Sequence, residues 1–172
     1  RGLAEAAQRR PACVVYLDAD GEYPPEQVPD LAAAVLAGAD YVVGSRFAGT
    51  IGRMLPHRRV GNVVLTRWMR WMTRRRDLTD GQSGMRAFSA QAAAAARIRH
   101  DYNYAQVLTL NLLGQGFGYA EVPIDYAYRT SGQSFVRLGR YLRAVLPAVR
   151  AELQAQDAAA PTRTLSPRPR VG

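Results

Sequence analysis

An open α/β sheet with helices on its faces is the fold that the sequence predicts, on three observations. A short apolar run, Cys13 to Leu17, ends in Asp18-Ala19-Asp20-Gly21, the pattern of a buried strand running out into a loop. A helical stretch and a second apolar run, Tyr41 to Gly44, follow within about thirty residues, which is the order of a βαβ unit. At 172 residues and 48% hydrophobic the chain is long enough for one core, and no stretch approaches the ~20 consecutive apolar residues of a membrane-spanning helix.

The elements follow in order. Arg1 to Arg10 lacks the apolar centre of a signal peptide and reads as the end of an Ala-rich helix, so the chain is expected to start inside a longer one. Pro24 and Pro25 break the chain. A helix is expected from near Pro29 to Gly38, with Leu31, Val35 and Leu36 on its apolar side. The strands on either side of it should be parallel and joined by a right-handed crossover. From Val60 to Arg76, Val63, Val64, Leu65, Trp68, Met69 and Met72 interleave with Arg at helical spacing, giving a basic amphipathic helix. Ser83 to Ser89 reads as a turn and short strand, Ala90 to Ile98 as a helix, and Tyr104 to Leu113 as a helix ended by Gly114 and Gly116. Tyr119 to Tyr128 is a strand, and Phe135 to Gln156 an amphipathic helix interrupted near Pro147. Residues 1–156 carry the domain; residues 157–172, rich in Ala, Pro, Thr and Arg, are expected to be a disordered basic tail.

The net charge of +9 comes from Arg alone, because the chain contains no Lys. Arg is suited to bidentate phosphate recognition, so an anionic partner is expected, although a GC-rich genome also favours Arg. The first fifty residues lean acidic, whereas eight Arg from Arg53 to Arg76 precede the next carboxylate, Asp77. Two surfaces of opposite sign are implied. Cys13 is the only cysteine, which excludes an intrachain disulfide and fits a reducing cytoplasm. A nucleic-acid-binding module built on the Arg53 to Arg76 stretch is a rival reading. It leaves the acidic motif unexplained, and no nucleic acid partner is expected. His57 and His100 lack ligand spacing, and Gly114, Gly116 and Gly118 follow a helix and precede a strand, the reverse of a dinucleotide fingerprint.

The chemistry concentrates in Asp18-Ala19-Asp20-Gly21-Glu22. Alternate side chains of an extended segment share a side, so Asp18, Asp20 and Glu22 could converge beyond the strand end. Three close carboxylates repel, and a hard divalent cation with nucleotide phosphates completing its shell would relieve that. An acidic surface turn is the plainer alternative. The segment, with the double Pro and Glu26 after it, resembles the metal-binding motif of family-two GT-A glycosyltransferases. The similarity is greatest to dolichyl-phosphate mannosyltransferases and related polyprenyl-phosphate glycosyltransferases. Further matches come in order: Ala39-Asp40, Gly44-Ser45-Arg46, Arg59 with Gly61-Asn62, Thr79 to Gly84, Glu121 to Ile124, Arg129, and Gly132-Gln133-Ser134.

The resemblance implies a GT-A open mixed sheet flanked by helices and truncated at the N-terminus, the opening nucleotide-binding βα units lying before Arg1. Residues 1–172 alone are then expected to be inactive. It implies a divalent metal, Mg or Mn, on Asp18, Asp20 and Glu22, and a nucleotide sugar donor of the GDP-mannose or UDP-glucose type. Arg129 and Ser134 would bind the donor phosphates, with Arg129 also catalytic, and Arg46 and Arg59 the phosphate of a polyprenyl phosphate acceptor. Arg58 stands where a small hydroxyl residue is expected. Asp80 would be a general base for a saccharide hydroxyl, the alternative acceptor. For an acceptor already ionised, with a second pKa near ~6, it would orient groups instead. The Trp68, Met69, Trp71 and Met72 cluster with its Arg neighbours could lie at an anionic membrane surface, placing the protein peripherally at the inner face of the plasma membrane.

Overall fold

The computed structural model describes residues 2–52, 54–97, 104–126 and 147. The expected Phe135 to Gln156 helix, apart from residue 147, and the 157–172 tail lie outside them, as do Arg129 and Ser134. The elements are α1 (Gly2–Gln8), β1 (Val14–Tyr16), a 3₁₀ turn (Pro25–Gln27), α2 (Val28–Leu36), β2 (Tyr41–Ser45), α3 (Pro56–Thr73), β3 (Arg86–Phe88), α4 (Ala90–Ala95), α5 (Tyr104–Gly114) and β4 (Tyr119–Pro123).

The four strands form one mixed sheet in the order β1-β3-β2-β4. β1 and β2 run in the same direction, as the βαβ pattern requires, but they are not neighbours. β3 lies between them, antiparallel to both, pairing Val15 and Val42 with the same Ala87. Local periodicity cannot foresee this, because β3 comes from some forty residues downstream of β2 and its place is fixed by tertiary pairing. β4 adds to the other side of β2 in parallel, from Tyr41 opposite Tyr119 to Ser45 opposite Pro123.

Burial follows that order. The inner strands β2 and β3 are buried throughout, while the outer β1 and β4 are half-buried. Side-chain alternation divides the core between two faces. Val42 and Ala87 meet Leu31 and Val35 of α2, with Met85, Ile124 and Tyr126. Tyr41, Val43 and Phe88 meet Ala92 and Ala93 of α4 and Leu108 and Leu112 of α5. Each fully buried Leu or Phe contributes about 1.5–3 kcal/mol through lost water contact. A third cluster, Leu65, Met69, Leu78 and Leu110, attaches α3 to α5.

Two helices differ from expectation on one face each. Leu36 is exposed rather than packed, because it lies one residue round the helix from buried Val35. α3 starts at Pro56, which suits a first helical position where no amide partner is needed. Its Val63 and Val64 are exposed, while Leu65, Thr66 and Met69 face inward.

At the N-terminal end of β2, Asp40 ties three elements together. Its Oδ1 accepts from Ser89, which itself caps α4 by accepting from the Ala92 amide, and its Oδ2 accepts from the Gly118 amide before β4. The functional residues gather at the opposite end. The C-termini of β1, β2 and β4 and the N-terminus of antiparallel β3 share one edge, where ligands bind in open α/β sheets.

Candidate active site at the strand ends

Beyond β1, Asp18 and Asp20 are half-buried in the loop. The Tyr16 hydroxyl donates to Asp18 Oδ1 (3.2 Å), and the Asp18 carboxylate lies against the backbone of Gly84, where a Cβ would stand 2.0 Å from its Oδ2. Only glycine leaves room for it. The chain then turns. Gly21 takes φ +77°, and Asp20 Oδ1 accepts the Glu22 amide (3.2 Å). This turn ends the extended alternation on which convergence of three carboxylates rested. Glu22 points inward instead, paired with Arg58 (3.4 Å) and hydrogen-bonded by the Tyr126 hydroxyl. Among the described residues no group of three or more His, Cys, Asp or Glu side chains is arranged to hold a metal ion. Asp18 and Asp20 alone still offer hard oxygen donors of the kind Mg²⁺ takes, one or two carboxylates with phosphates and water completing the shell.

At the end of β2 stands the most enclosed ion pair among the described residues. Arg46 is 5% exposed and Asp80 0%. Asp80 Oδ2 accepts from Arg46 Nε (2.7 Å) and from the Arg46 amide (3.1 Å), and its Oδ1 accepts from Arg46 Nη2 (2.9 Å) and the Gln82 amide (3.1 Å). Four donors fill the positions a carboxylate offers. Burial alone would push the Arg46 guanidinium down, but the charge and hydrogen bonds of Asp80 outweigh it and hold Arg46 above the ordinary arginine value. The Arg46 guanidinium also lies 5.3 Å above the Tyr126 ring.

Tyr23 links this pair to the acidic loop. Its hydroxyl accepts the Gly84 amide (2.7 Å), and burial, the largest influence, pushes its pKa up to about 12, so it remains neutral. Its ring meets that of Tyr126 edge to face at 6.0 Å. Beside it opens a cleft of ≈ 440 Å³, walled by Tyr23, Pro24, Pro25, Thr50, Asp125 and Tyr126.

The structure thus brings together Asp18, Asp20, Glu22, Arg46 and Asp80 on one edge of the sheet. Arg59 is exposed on the first turn of α3. Its neighbour Arg58, out of place in the motif, is the one that reaches Glu22. Tyr126 had no signal of its own in the sequence, and Glu121, quoted only as part of the Glu121 to Ile124 match, was given no role; its Oε1 accepts the Thr79 amide (2.7 Å).

The profile of Glycosyl transferase family 2 matches residues 1–96. The chain belongs to that family. Among family relatives, the chain is 32% identical over 142 residues to a polyprenol monophosphomannose synthase of Mycolicibacterium smegmatis, covering 77% of this chain and 52% of that protein. It is 26% identical over 151 residues to a dolichol-phosphate mannosyltransferase of Pyrococcus furiosus, covering 83% of this chain and 41% of that one. The chain therefore spans about half the length of the curated relatives it matches. The fold is also that of the M. tuberculosis glucosyl-3-phosphoglycerate synthase crystal structure, with a TM-score of 0.64, 19% identity, and coverage of 87% of this chain and 53% of that one. A GT-A open mixed sheet is the architecture of this family-two chain.

The enclosure of Arg46 and Asp80 sets a stability expectation. Asp80→Ala leaves a buried guanidinium without its counter-ion and should cost about 3–5 kcal/mol. Denaturant unfolding checks this, and a loss below ~1 kcal/mol would contradict the buried pairing.

Proposed function

We propose that this chain is the catalytic part of an enzyme that transfers a sugar, with inversion, from a nucleotide diphosphate sugar to a polyprenyl phosphate. The similarity to a polyprenol monophosphomannose synthase and a dolichol-phosphate mannosyltransferase supports a polyprenyl phosphate acceptor. The single observation that carries the acceptor is the state of Asp80. A carboxylate that is wholly buried and accepts four hydrogen bonds has no lone pair directed at a substrate. It would have to leave Arg46 to act as a base. An acceptor hydroxyl needs a base; a phosphate monoester, with its second pKa near ~6, arrives as an anion.

In the proposed step an acceptor phosphate oxygen attacks the anomeric carbon from the side opposite the donor phosphate. The new C–O bond forms as the bond to the donor phosphate breaks, and the nucleoside diphosphate leaves with the electron pair. No proton is removed. A divalent ion held by Asp18 and Asp20, when bound, would neutralise charge on the leaving diphosphate. Arg129 and Ser134, outside the described residues, would serve the same diphosphate. Arg59, exposed beside Arg58, would meet the acceptor phosphate. Arg46, closed off by Asp80, would form the base of that site.

α3 supports a membrane-bound acceptor. Its inward face carries Leu65 and Met69, yet its opposite face exposes Val60 (63%), Val64 (57%) and Trp71 (77%), with Arg59 and Arg67 exposed among them. A helix that is apolar on both faces and basic along the outer one fits the headgroup boundary of an anionic bilayer. Its first turn carries Arg58 into the site. No helix among the described residues is long and apolar enough to cross a membrane.

In the full-length enzyme, polyprenyl phosphate should accept sugar while the matching polyprenol does not. Asp20→Ala should abolish Mg- or Mn-supported transfer. Asp80→Asn should lower the rate by less than the ~10²–10⁴-fold that loss of a general base brings. Transfer to the alcohol, or a base-sized loss in a folded Asp80→Asn variant, would move the acceptor to a hydroxyl.

Co-sedimentation with vesicles tests the membrane surface. Binding is expected to vesicles containing anionic lipid, to weaken with salt, and to fall about tenfold or more when Val64 and Trp71 are both changed to Glu. Unchanged binding by the double variant would reject α3 as the contact.

A further inference from the structure

We propose that Glu121 is a positioning residue for this transfer, a carboxylate that clamps the Thr79–Asp80 peptide and so presents Asp80 to Arg46. The kinetic part of this inference rests on the transfer reading above.

Glu121 lies in the middle of β4, opposite Val43 of β2. A carboxylate in a half-buried strand is costly unless its oxygens are satisfied. Here one loop satisfies them. Oε1 accepts the Thr79 amide (2.7 Å) and the Asp80 amide (3.2 Å), and Oε2 accepts the Thr79 hydroxyl. The Tyr119 hydroxyl donates to Oε1 as well. Burial first, and the Glu121 charge second, push Tyr119 above the ordinary tyrosine range, so this hydroxyl stays a donor.

Two consecutive amides directed at one oxygen fix the plane of the peptide between Thr79 and Asp80. That plane sets where the Asp80 side chain points. The other half of the ion pair is tied to the same carboxylate. Because the Thr79 hydroxyl gives its one proton to Glu121, it accepts from Ser45 (2.6 Å), and Ser45 Oγ in turn accepts the Ala48 amide (3.1 Å). Ser45 immediately precedes Arg46. One anion on β4 therefore holds both the loop that carries Asp80 and the strand end that carries Arg46. With Glu121 the hydroxyl chain runs from Ser45 through Thr79 to Oε2, and with a donor at that position it can reverse, the Thr79 proton turning to Ser45 Oγ. Glutamine can keep both amide contacts through its oxygen while its NH₂ donates to the Thr79 oxygen, so Gln should substitute in large part and Ala should not.

The experiment uses the full-length enzyme with Glu121→Ala, Glu121→Gln, Asp80→Asn and the Ala/Asn double variant. Steady-state kinetics and amide hydrogen exchange over residues 79–82 are read together. Glu121→Ala should lower kcat about tenfold or more with the donor KM within ~3-fold, and Glu121→Gln should recover most of it. The double variant should be no slower than Asp80→Asn, since Glu121 acts through Asp80. Exchange at 79–82 should rise in the Ala variant and stay near wild type in the Gln variant. The inference is overturned by wild-type exchange in Glu121→Ala, by losses that add in full to those of Asp80→Asn, or by a Gln variant no better than Ala. Should Glu121→Ala not fold, Thr79→Val removes the hydroxyl that joins Glu121 Oε2 to Ser45 and leaves both amide contacts to Oε1 in place; a fall in kcat with donor KM unchanged supports the clamp, and an unchanged kcat overturns it. Should the wild-type enzyme transfer nothing to phosphate acceptors, the transfer reading fails while the exchange comparison still decides the clamp.

Discussion

The Arg46–Asp80 ion pair is the constraint around which the strand ends are built. Taking a guanidinium and a carboxylate out of water costs several kcal/mol each, and their attraction repays this only with good geometry and every remaining hydrogen-bonding position filled. Both conditions hold. The guanidinium approaches in a two-toothed arrangement, and two backbone amides complete the carboxylate. To supply those amides, the end of β2 and the 79–82 loop must sit in one relative position. Glu121, Thr79 and Ser45 fix it from the sheet, and Tyr23 continues the framework to Gly84 and the acidic loop.

A carboxylate held this way is a structural anion. That separates two chemistries which the motif alone leaves open. A base acting on a hydroxyl must face its substrate; here the carboxylate faces an arginine, and on the proposed reading the acceptor would bring its own negative charge. On the proposed reading, the Arg residues of α3 and its outward Val and Trp side chains would belong to one arrangement, in which a lipid phosphate would reach the strand ends along the helix that meets the bilayer.

Much of this was legible in the sequence because it is local. The strand from Val14, the helix after the double proline and the strand from Tyr41 follow from apolar periodicity, and the first ordered motifs lie at one edge of the sheet. What was not legible depends on long-range contacts or backbone turns. The insertion of β3 between β1 and β2 needs Ala87 to pair with both Val15 and Val42. After Gly21, whose φ is positive, Glu22 is paired with Arg58, a contact that spacing along the chain does not announce. Val63 and Val64 looked like core at helical spacing, although the face of α3 that packs toward α5 is the one carrying Leu65 and Met69, with Trp68 and Met72 beside them. The pairing of Arg46 with Asp80 joins residues 34 apart in sequence, each of which the motif had given a separate role.

The pH dependence of kcat/KM tests the central claim most directly, measured with a phosphate acceptor and again with a less acidic phosphonate analogue. If Asp80 is locked to Arg46 and the acceptor supplies its own charge, the rising limb follows the acceptor and moves to higher pH with the phosphonate. A limb that stays at the same pH with both acceptors would belong to a basic group of the enzyme and would contradict the account.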